Sequence, residues 1–488
     1  MIKTKNYNQS YNKKSYNNQP FNELYDIDID PNLTIPLVFE IPNNPCHINI
    51  DELEPDIKLS NNIDYPLFSL GFNHIIHQNK DKMEIINEFK KNPIYQVCNS
   101  YERYINNYPD SFGKNKFIKE CMGMHGRTFF NIGDKNQPPD ILSRGFYKIW
   151  EILNMFNLID INKTNFRSVH LAEGPGSFIQ ATMFYREKFA KKNKDMYYGI
   201  TLHSEGDGEN YVPALGQAFI DYYYKEPIQR FFLHKTYPKH IAKLDKNKDD
   251  GDLTNPKTAR LLSEQLGEDK MDFITADGGF EWSDETVQEQ EAFRLVFSEI
   301  YNAMRNQNKG GHFVCKLFET YTDTSTKFIY LLGQMYEKIY LVKPLTGRPA
   351  NSEKYIVCMN FKYTDKDKFY KNIMKKLDKV FEDLFNNSDL NLIEIWKSLD
   401  LSKKFLHAIT IFNTRVANTQ VKYINAIVSF LREQNYFGEK YVLYRNLQIQ
   451  SNKYWINKFM NLDNQEDQIK NTIKETKELI EYNNKLIN

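Results

Sequence analysis

Short apolar strands alternate with helices over residues 141–362, and this alternation restricts the fold of the chain more than any other feature of its sequence. The predicted strands are SVHLAE, YYGITL, MDFITAD, HFVCKLF, KIYLVKP and KYIVCMNF. The predicted helices span residues 143–158, 176–190, 286–307 and 324–335. Such an alternation indicates βαβ units and a largely parallel sheet with helices on both faces. We therefore predict an α/β fold whose ligands bind beyond the carboxyl ends of the strands.

The segments on either side of this region differ from it in composition. Residues 1–35 are polar and low in complexity, so they bury too little apolar surface to fold alone and are predicted to be disordered. Residues 36–140 are predicted to form a mixed helical region, and residues 363–488 a charged helical region. The predicted domains are therefore 1–35, 36–140, 141–362 and 363–488.

The last predicted helix has an apolar face. Its isoleucines at positions 469, 473, 480 and 487 lie on one side, and the interleaved Thr476 and Asn483 are polar. This pattern favours a helix that docks on its own domain, with a coiled coil to a partner as the alternative.

Composition and charge exclude several classes of protein. The formal net charge is +1, so no global positive field indicates nucleic-acid binding, and any basic groove has to be local. The five cysteines are far apart and form no CxxC, which argues against a disulfide framework or a zinc site and suits a reducing compartment. His74 and His77 form an HxxH without further ligands, so no metal is predicted. We find no signal peptide and no apolar run of membrane-spanning length, which predicts a soluble intracellular protein without membrane contact.

Several segments place reactive residue types where a parallel sheet binds its ligands. The turn Glu173-Gly174-Pro175-Gly176-Ser177 follows the first strand and opens a helix, whose N–H groups are predicted to be free for a carboxylate or phosphate. Asp277 ends MDFITAD, Lys316 lies inside HFVCKLF, and Glu353 begins the last strand. Lys148 lies on the mainly apolar helix before the first strand.

Each of these segments also has an ordinary structural interpretation. The glycine-rich segment is explained by a tight turn, and Asp277 by a turn aspartate at the end of a strand. Lys316 and Glu353 are explained by a structural ion pair, and Lys148 by a solvated side chain. Taken singly, these explanations suffice. A lysine inside a buried strand nevertheless has to be paired or desolvated, and both cost free energy.

Taken in chain order, Lys148, Asp277, Lys316 and Glu353 resemble the K-D-K-E tetrad of the FtsJ/RrmJ-like RNA 2′-O-methyltransferases. The surrounding segments SRGFYKIWEI, AEGPGSF, GGHFVCK and RPANSEKYIVC are similar to that family's motifs, including its S-adenosylmethionine loop. ADGGF, DDGDLTNP and KPLTGRPANSEKYIVC are closer to the enzymes that act on the mRNA cap than to the ribosomal-RNA branch. The resemblance covers about residues 120–362.

The resemblance implies a Rossmann-like, S-adenosylmethionine-dependent methyltransferase with helical N- and C-terminal extensions. It implies methyl transfer to a ribose 2′-hydroxyl near the 5′ cap of mRNA. Lys316 is then the general base of the tetrad, its pKa lowered by burial and by Lys148, while Asp277 and Glu353 orient the lysines. The residues implied for the cofactor are Ser143, Glu173, Gly174, Pro175, Gly176, Ser177, Phe178, Asp252 and Asp277. Those implied for the substrate are Arg127 and Asn351.

Several questions stay open at the level of the sequence. The alternatives are a 2′-O-methyltransferase of ribosomal or transfer RNA, and an inactive RNA-binding scaffold subunit. An NAD-dependent dehydrogenase is disfavoured because the full GxGxxG spacing is missing. Glu205 and Asp207 are weak candidates for the group that holds the cofactor ribose.

The resemblance also implies partners and a location. The expected partner is the capped 5′ end of mRNA, and the terminal regions are candidates for contacts with RNA or with other capping or transcription proteins. The expected location is the cytoplasm (a viral factory or virion for a virus) or the nucleus for a eukaryote.

Overall fold

A computed structural model describes residues 35–42, 50–63, 70–90, 93–102, 122–132, 138–191, 194–202, 218, 221–222, 231–233, 251–268, 270–279, 287–436, 438–462 and 465–487. The predicted disordered segment lies outside these residues, apart from Ile35. Within them, no helix combines the length and apolar content needed to cross a bilayer.

Eight of the described strands form one sheet in the order β1-β8-β9-β7-β6-β3-β4-β5. They are β1 Leu37–Ile41, β3 Arg167–Leu171, β4 Met196–Gly199, β5 Phe231–Leu233, β6 Met271–Ala276, β7 Gln307–Leu317, β8 Tyr336–Lys343 and β9 Lys354–Phe361. A separate antiparallel pair joins β2 Ile57–Ser60 to β10 Asn391–Ile395. The predicted strands of residues 168–361 are all present, with ends that differ by a few residues.

The sheet is parallel in one half and antiparallel in the other. Strands β7, β6, β3, β4 and β5 run parallel, whereas β1, β8, β9 and β7 pair antiparallel. The prediction of a largely parallel sheet is therefore wrong for the half that contains β1, β8 and β9. The reason is the short connection of residues 344–353, which joins β8 to β9 without a crossover helix and so forces the two strands to run in opposite directions.

Helices cover both faces of this sheet. The described α-helices are α1 Leu70–Asp81, α2 Met122–Phe129, α3 Gly145–Phe156, α4 Ser177–Phe189, α5 Pro256–Leu266, α6 Gln288–Glu291, α7 Phe293–Asn306, α8 Asp323–Met335, α9 Lys368–Asn386, α10 Lys403–Glu433, α11 Glu439–Phe459 and α12 Gln465–Ile487. The predicted helix over 286–307 is thus divided at Ala292 into α6 and α7. Short 3₁₀ helices span Lys82–Phe89 and Ile94–Cys98.

Successive residues of each strand supply two separate cores. In β7, Phe313, Cys315 and Leu317 pack with α5, α7, α8, α9 and α10, whereas Val314 packs on the opposite face with α3, α4, α11 and α12. This alternation follows from the two-residue period of a strand, because both faces of the sheet are buried. The predicted α/β class with helices on both faces is confirmed.

The two ends of the described chain meet at one edge of the sheet. Strand β1, which the sequence interpretation did not anticipate, pairs with β8 along its whole length. Helix α12 packs on β1 and α3, so the predicted docking on its own domain is confirmed. The buried stripe of α12 includes the polar Thr476 and Asn483, and the Asn483 side-chain amide donates to the Val38 carbonyl at 2.7 Å. A polar position in this helix therefore binds the edge strand.

Candidate active site

The two-residue period of the strands brings three of the predicted residues to one face of the sheet. Lys316 lies on the same side of β7 as the buried Val314, and it pairs in register with Tyr355 of β9. Glu353 lies two residues before Tyr355, so its side chain projects from the backbone on the same side. Asp277 follows β6, directly beside these strands.

Helix α3 completes the arrangement from above the sheet. The Lys148 Nζ lies 2.5 Å from the Glu353 Oε1, and both side chains are mostly buried. The Lys316 Nζ lies 3.2 Å from the Asp277 Oδ1 and donates to the Asp277 backbone carbonyl at 2.9 Å. These two ion pairs form the four-residue cluster of Lys148, Asp277, Lys316 and Glu353.

Tyr355 links the two ion pairs, and the sequence interpretation gave it no role. Its hydroxyl donates to the Glu353 Oε1 at 2.9 Å and lies 3.4 Å from the Asp277 Oδ1. Tyr355 is the tyrosine of the segment RPANSEKYIVC. Because it lies two residues after Glu353, the period of a strand indicates that both side chains share one face.

The electrostatics of Lys316 differ from the prediction. Burial lowers the pKa of Lys316, but the carboxylates of Asp277, Glu353 and Glu299 outweigh burial and raise the pKa above its ordinary value. The expectation that burial and Lys148 together favour a neutral amine is therefore wrong for the protein alone. The reason is that Lys148 is ion-paired with Glu353, whereas three acidic side chains act on Lys316 and favour its charged form.

Glu353 shows the complementary effect. Burial raises the pKa of Glu353, but the ammonium groups of Lys148, Lys316 and Lys343 lower it well below its ordinary value. Glu353 is therefore ionised and serves as the negative centre for three lysines. The four-residue cluster keeps its charges through this balance rather than by exposure to water.

A third carboxyl group lies beneath the cluster. Glu299 of α7 is buried, and its Oε1 accepts from the backbone N–H of Gly278 at 2.9 Å, directly after Asp277. Burial raises the pKa of Glu299 to about 8, although Lys316 acts in the opposite direction. The side chain therefore fixes the backbone that follows Asp277, and it adds a negative charge beside Lys316 only above about pH 8, in the range where the lysine itself titrates.

The predicted cofactor turn has a different hydrogen-bond arrangement from the one expected. The Glu173 Oε1 accepts from the backbone N–H groups of Phe178 and Ile179 at 2.7 and 2.9 Å, so the start of α4 binds its own carboxylate. The expectation that these N–H groups are free for a ligand is wrong, because Glu173 satisfies them first. The Glu173 Oε2 is buried without a hydrogen-bond partner. Burial raises the pKa of Glu173 well above its ordinary value, and Asp277 acts in the same direction.

The remaining residues of this turn pack against the start of α3. Gly176 has a positive φ of 106°, which favours glycine at this position. The hydroxyls of Ser143 and Ser177 lie 2.6 Å apart. A Cβ on Gly145 would lie 3.1 Å from the Ser177 Cβ, so glycine permits this close approach. Two predicted cofactor residues, Ser143 just before α3 and Ser177 at the start of α4, are therefore in contact with each other.

Other contacts position Asp252 and Arg127. The Asp252 Oδ1 accepts from the Thr254 backbone N–H and hydroxyl in the turn before α5. The Arg127 guanidinium pairs with Asp140, and both side chains are half exposed. Glu205 and Asp207 lie outside the described residues.

Asn351 lies in the connection between β8 and β9 and is held by a partly buried lysine. The Lys343 Nζ donates to the Asn351 Oδ1 at 2.8 Å and to the Asn351 backbone carbonyl at 2.7 Å. Burial lowers the pKa of Lys343 to about 7, so the ammonium form, which supplies all three N–H donors, predominates below neutral pH. The Asn351 side chain consequently directs its amide nitrogen away from Lys343.

The described histidines do not form a metal site. The His77 Nε2 lies 3.4 Å from the Glu319 Oε2, and the His74 Nε2 lies 2.9 Å from the Gln78 Nε2. Across the part of the chain that the structure describes, no group of three or more His, Cys, Asp or Glu side chains is arranged to hold a metal ion.

Comparison with known proteins gives a family for the central region. Residues 141–361 match the family described as FtsJ-like methyltransferase. "Cap-specific mRNA (nucleoside-2'-O-)-methyltransferase 1" of Danio rerio is 30% identical over 277 residues, which cover 54% of this chain and 30% of the relative. "Cap-specific mRNA (nucleoside-2'-O-)-methyltransferase 2" of Drosophila melanogaster is 25% identical, with 53% of this chain and 35% of the relative covered.

A third relative has a name that bears on activity. "Inactive cap-specific mRNA (nucleoside-2'-O-)-methyltransferase 1B" of Caenorhabditis briggsae is 25% identical, with 61% of this chain and 33% of the relative covered. The chain thus spans about a third of the length of these curated relatives.

Proposed function

Because residues 141–361 match the family described as FtsJ-like methyltransferase, we propose that this chain transfers a methyl group from S-adenosylmethionine to a ribose 2′-hydroxyl near the 5′ cap of an mRNA. The observation that carries the proposal is the meeting of two lysines and two acids in the four-residue cluster. The names of the relatives support the cap as the substrate.

The residues at the strand ends fit a cationic methyl donor. Glu173 and Asp277 follow the adjacent parallel strands β3 and β6, close enough for Asp277 to affect the Glu173 carboxyl. The buried Glu173 Oε2 has no partner and can accept from an ammonium group. S-adenosylmethionine supplies a methyl group on a positively charged sulfur, together with such an ammonium group. The turn from Gly174 to Gly176 lets the backbone approach this ligand.

Lys316 is the residue that takes the proton from the 2′-hydroxyl. The Asp277 carboxylate and backbone carbonyl orient its Nζ. These two contacts use two of the three N–H groups, so the third position on the nitrogen can face the 2′-hydroxyl. The acids around it keep the amine charged in the protein alone, so its pKa has to fall before it can act as a base. A positive charge beside the cluster lowers the pKa of a lysine, which links proton release to the presence of the cationic donor.

The other residues of the site orient these groups. The Lys148–Glu353 pair fixes one side of the cluster, and Tyr355 holds it against Asp277. Much of the rate then comes from keeping the oxygen in line with the methyl carbon and sulfur. Asn351 offers its amide nitrogen to the RNA, and the exposed Arg127 guanidinium offers a contact for phosphate.

The test is methyl transfer to matched short RNAs. The full chain is incubated with methyl-labelled S-adenosylmethionine and an RNA that carries either a 7-methylguanosine cap or a 5′ triphosphate. We expect label only in the capped RNA, in a dinucleotide that resists alkaline cleavage because its 2′-oxygen is blocked. Equal labelling of both RNAs would favour a methyltransferase of another RNA. The absence of label from every RNA, with donor binding intact, would refute the proposed activity and favour a scaffold.

A further inference from the structure

Lys343 is a partly buried lysine at the end of β8 that belongs neither to the four-residue cluster nor to the predicted site. Its Nζ donates to the Asn351 Oδ1 at 2.8 Å, to the Asn351 carbonyl at 2.7 Å and to the Glu353 carbonyl at 2.7 Å. All three acceptors belong to the connection 344–353, so one ammonium group crosses from the last residue of β8 to the residues just before β9.

The first half of this connection is held from elsewhere. The carboxylate of Glu151 accepts from the backbone N–H groups of Leu345 and Thr346, each at 2.8 Å. Arg144 donates to the Thr346 carbonyl at 2.7 Å, and Arg348 pairs with the buried Glu102. These contacts fix residues 345–348, whereas the contacts of Lys343 fix residues 351–353.

The second half of the connection carries the groups that matter for chemistry. Asn351 is the predicted substrate contact, and Glu353 pairs with Lys148 in the four-residue cluster. Because Lys343 binds the backbone carbonyls of both residues, we expect a change in its contacts to displace both side chains. Its contact with the Asn351 Oδ1 also decides which end of the amide faces away from Lys343.

We propose that Lys343 is a positioning residue for the methyl transfer: its ammonium group holds residues 351–353 so that the Asn351 amide and the Glu353 carboxylate face the 2′-hydroxyl. This inference rests on the proposed function. The three N–H groups of an ammonium match three acceptors around one point, which the planar fork of arginine does not.

The test compares Lys343→Met with Lys338→Met. Methionine keeps the length of the side chain but donates no hydrogen bond. Lys338 lies on the same strand, is about half exposed and pairs with Glu40, so its replacement controls for loss of a lysine from β8. We expect Lys343→Met, but not Lys338→Met, to raise the KM for capped RNA and to lower kcat, together by roughly tenfold or more in kcat/KM, because the loss of one partner leaves partly buried acceptors unsatisfied. The Kd for S-adenosylmethionine should stay within about twofold of the wild-type value.

A double substitution separates positioning from general damage. If Lys343 acts through Asn351, then Lys343→Met should cost much less in an Asn351→Ala background than in the wild type. Fully independent effects of the two substitutions would contradict the inference, as would a folded Lys343→Met protein with wild-type kcat/KM.

Hydrogen–deuterium exchange tests the contact without any turnover. Amides of residues 350–353 should exchange faster in Lys343→Met than in Lys338→Met, and unchanged exchange would overturn the proposed role. Wild-type protein that methylates no RNA would refute the proposed function instead, and the exchange result would still decide whether Lys343 holds this segment.

Discussion

Glu299 provides the sharpest test of the electrostatics beneath the site. The folded protein raises the pKa of this carboxyl from 4.5 to about 8, chiefly through burial. Between these values the folded protein keeps a proton that the unfolded chain releases, so the free energy of unfolding falls as pH rises. Since each tenfold change in an acid constant amounts to about 1.4 kcal/mol, Glu299 lowers the stability by about 5 kcal/mol between about pH 4.5 and pH 8.

The substitution Glu299→Gln should remove most of this fall. Glutamine keeps an oxygen for the Gly278 N–H but does not ionise. The difference in free energy of unfolding between the variant and the wild type should therefore shift in favour of the variant by several kcal/mol from about pH 5 to about pH 8.5. The free energy of unfolding can be measured by urea denaturation, with the buried tryptophans as the fluorescent reporter.

An exposed glutamate supplies the control for this measurement. Glu264 of α5 is exposed, so Glu264→Gln should leave the pH dependence of the wild type unchanged. If Glu299→Gln and the wild type lose the same stability between the two pH values, to within about 1 kcal/mol, the raised pKa is refuted.

Three further predictions concern the site and its supporting core. Lys316→Ala should abolish methyl transfer and leave the Kd for S-adenosylmethionine intact; retained turnover of the purified variant would exclude its role as base. Tyr355→Phe should lower kcat by roughly tenfold, because one hydrogen bond to the charged Glu353 is lost, and an unchanged kcat would show that the link between the ion pairs is dispensable. Arg186→Met should lower the free energy of unfolding by about 3–5 kcal/mol, because Asp195 then remains buried and unpaired. Denaturation curves of this variant and of a double variant that also carries Asp195→Leu check this, since the double variant should recover part of the loss.

The strand-end residues of the site could be predicted from the sequence because their positions follow from simple periods. Asp277, Lys316 and Glu353 lie at or beside the ends of apolar strands, and a sheet brings such ends together. Lys148 belongs to a helix, where no strand period applies, so only the resemblance to a family indicated its place. The structure pairs it with Glu353.

The charge state of Lys316 could not be predicted in the same way. Glu299 stands within a predicted helix, and the sequence does not tell which side of that helix faces the end of β7. The direction of a pKa shift depends on the balance between burial and such neighbours, which are distant in the chain. Glu173 illustrates the same limit, since a carboxylate before a helix can bind a ligand or the first N–H groups of that helix.

Strand β1 was missed for a different reason. Its five residues, LVFEI, are too short to show a clear period, and they form a strand only because β8 and α12 lie on either side. Propensity alone does not reveal pairing between residues some 300 positions apart.

The hydrogen bond between Asn483 and the edge strand has a practical consequence for anyone who shortens this chain. A fragment trimmed to residues 141–361 would contain the whole cluster yet lose both β1 and the helix that caps it. The backbone of β8 would then present an open row of N–H and C=O groups to solvent, which invites strand exchange between molecules. Such a fragment should form aggregates. Its poor solubility would come from this unpaired strand edge rather than from a defect in the four-residue cluster.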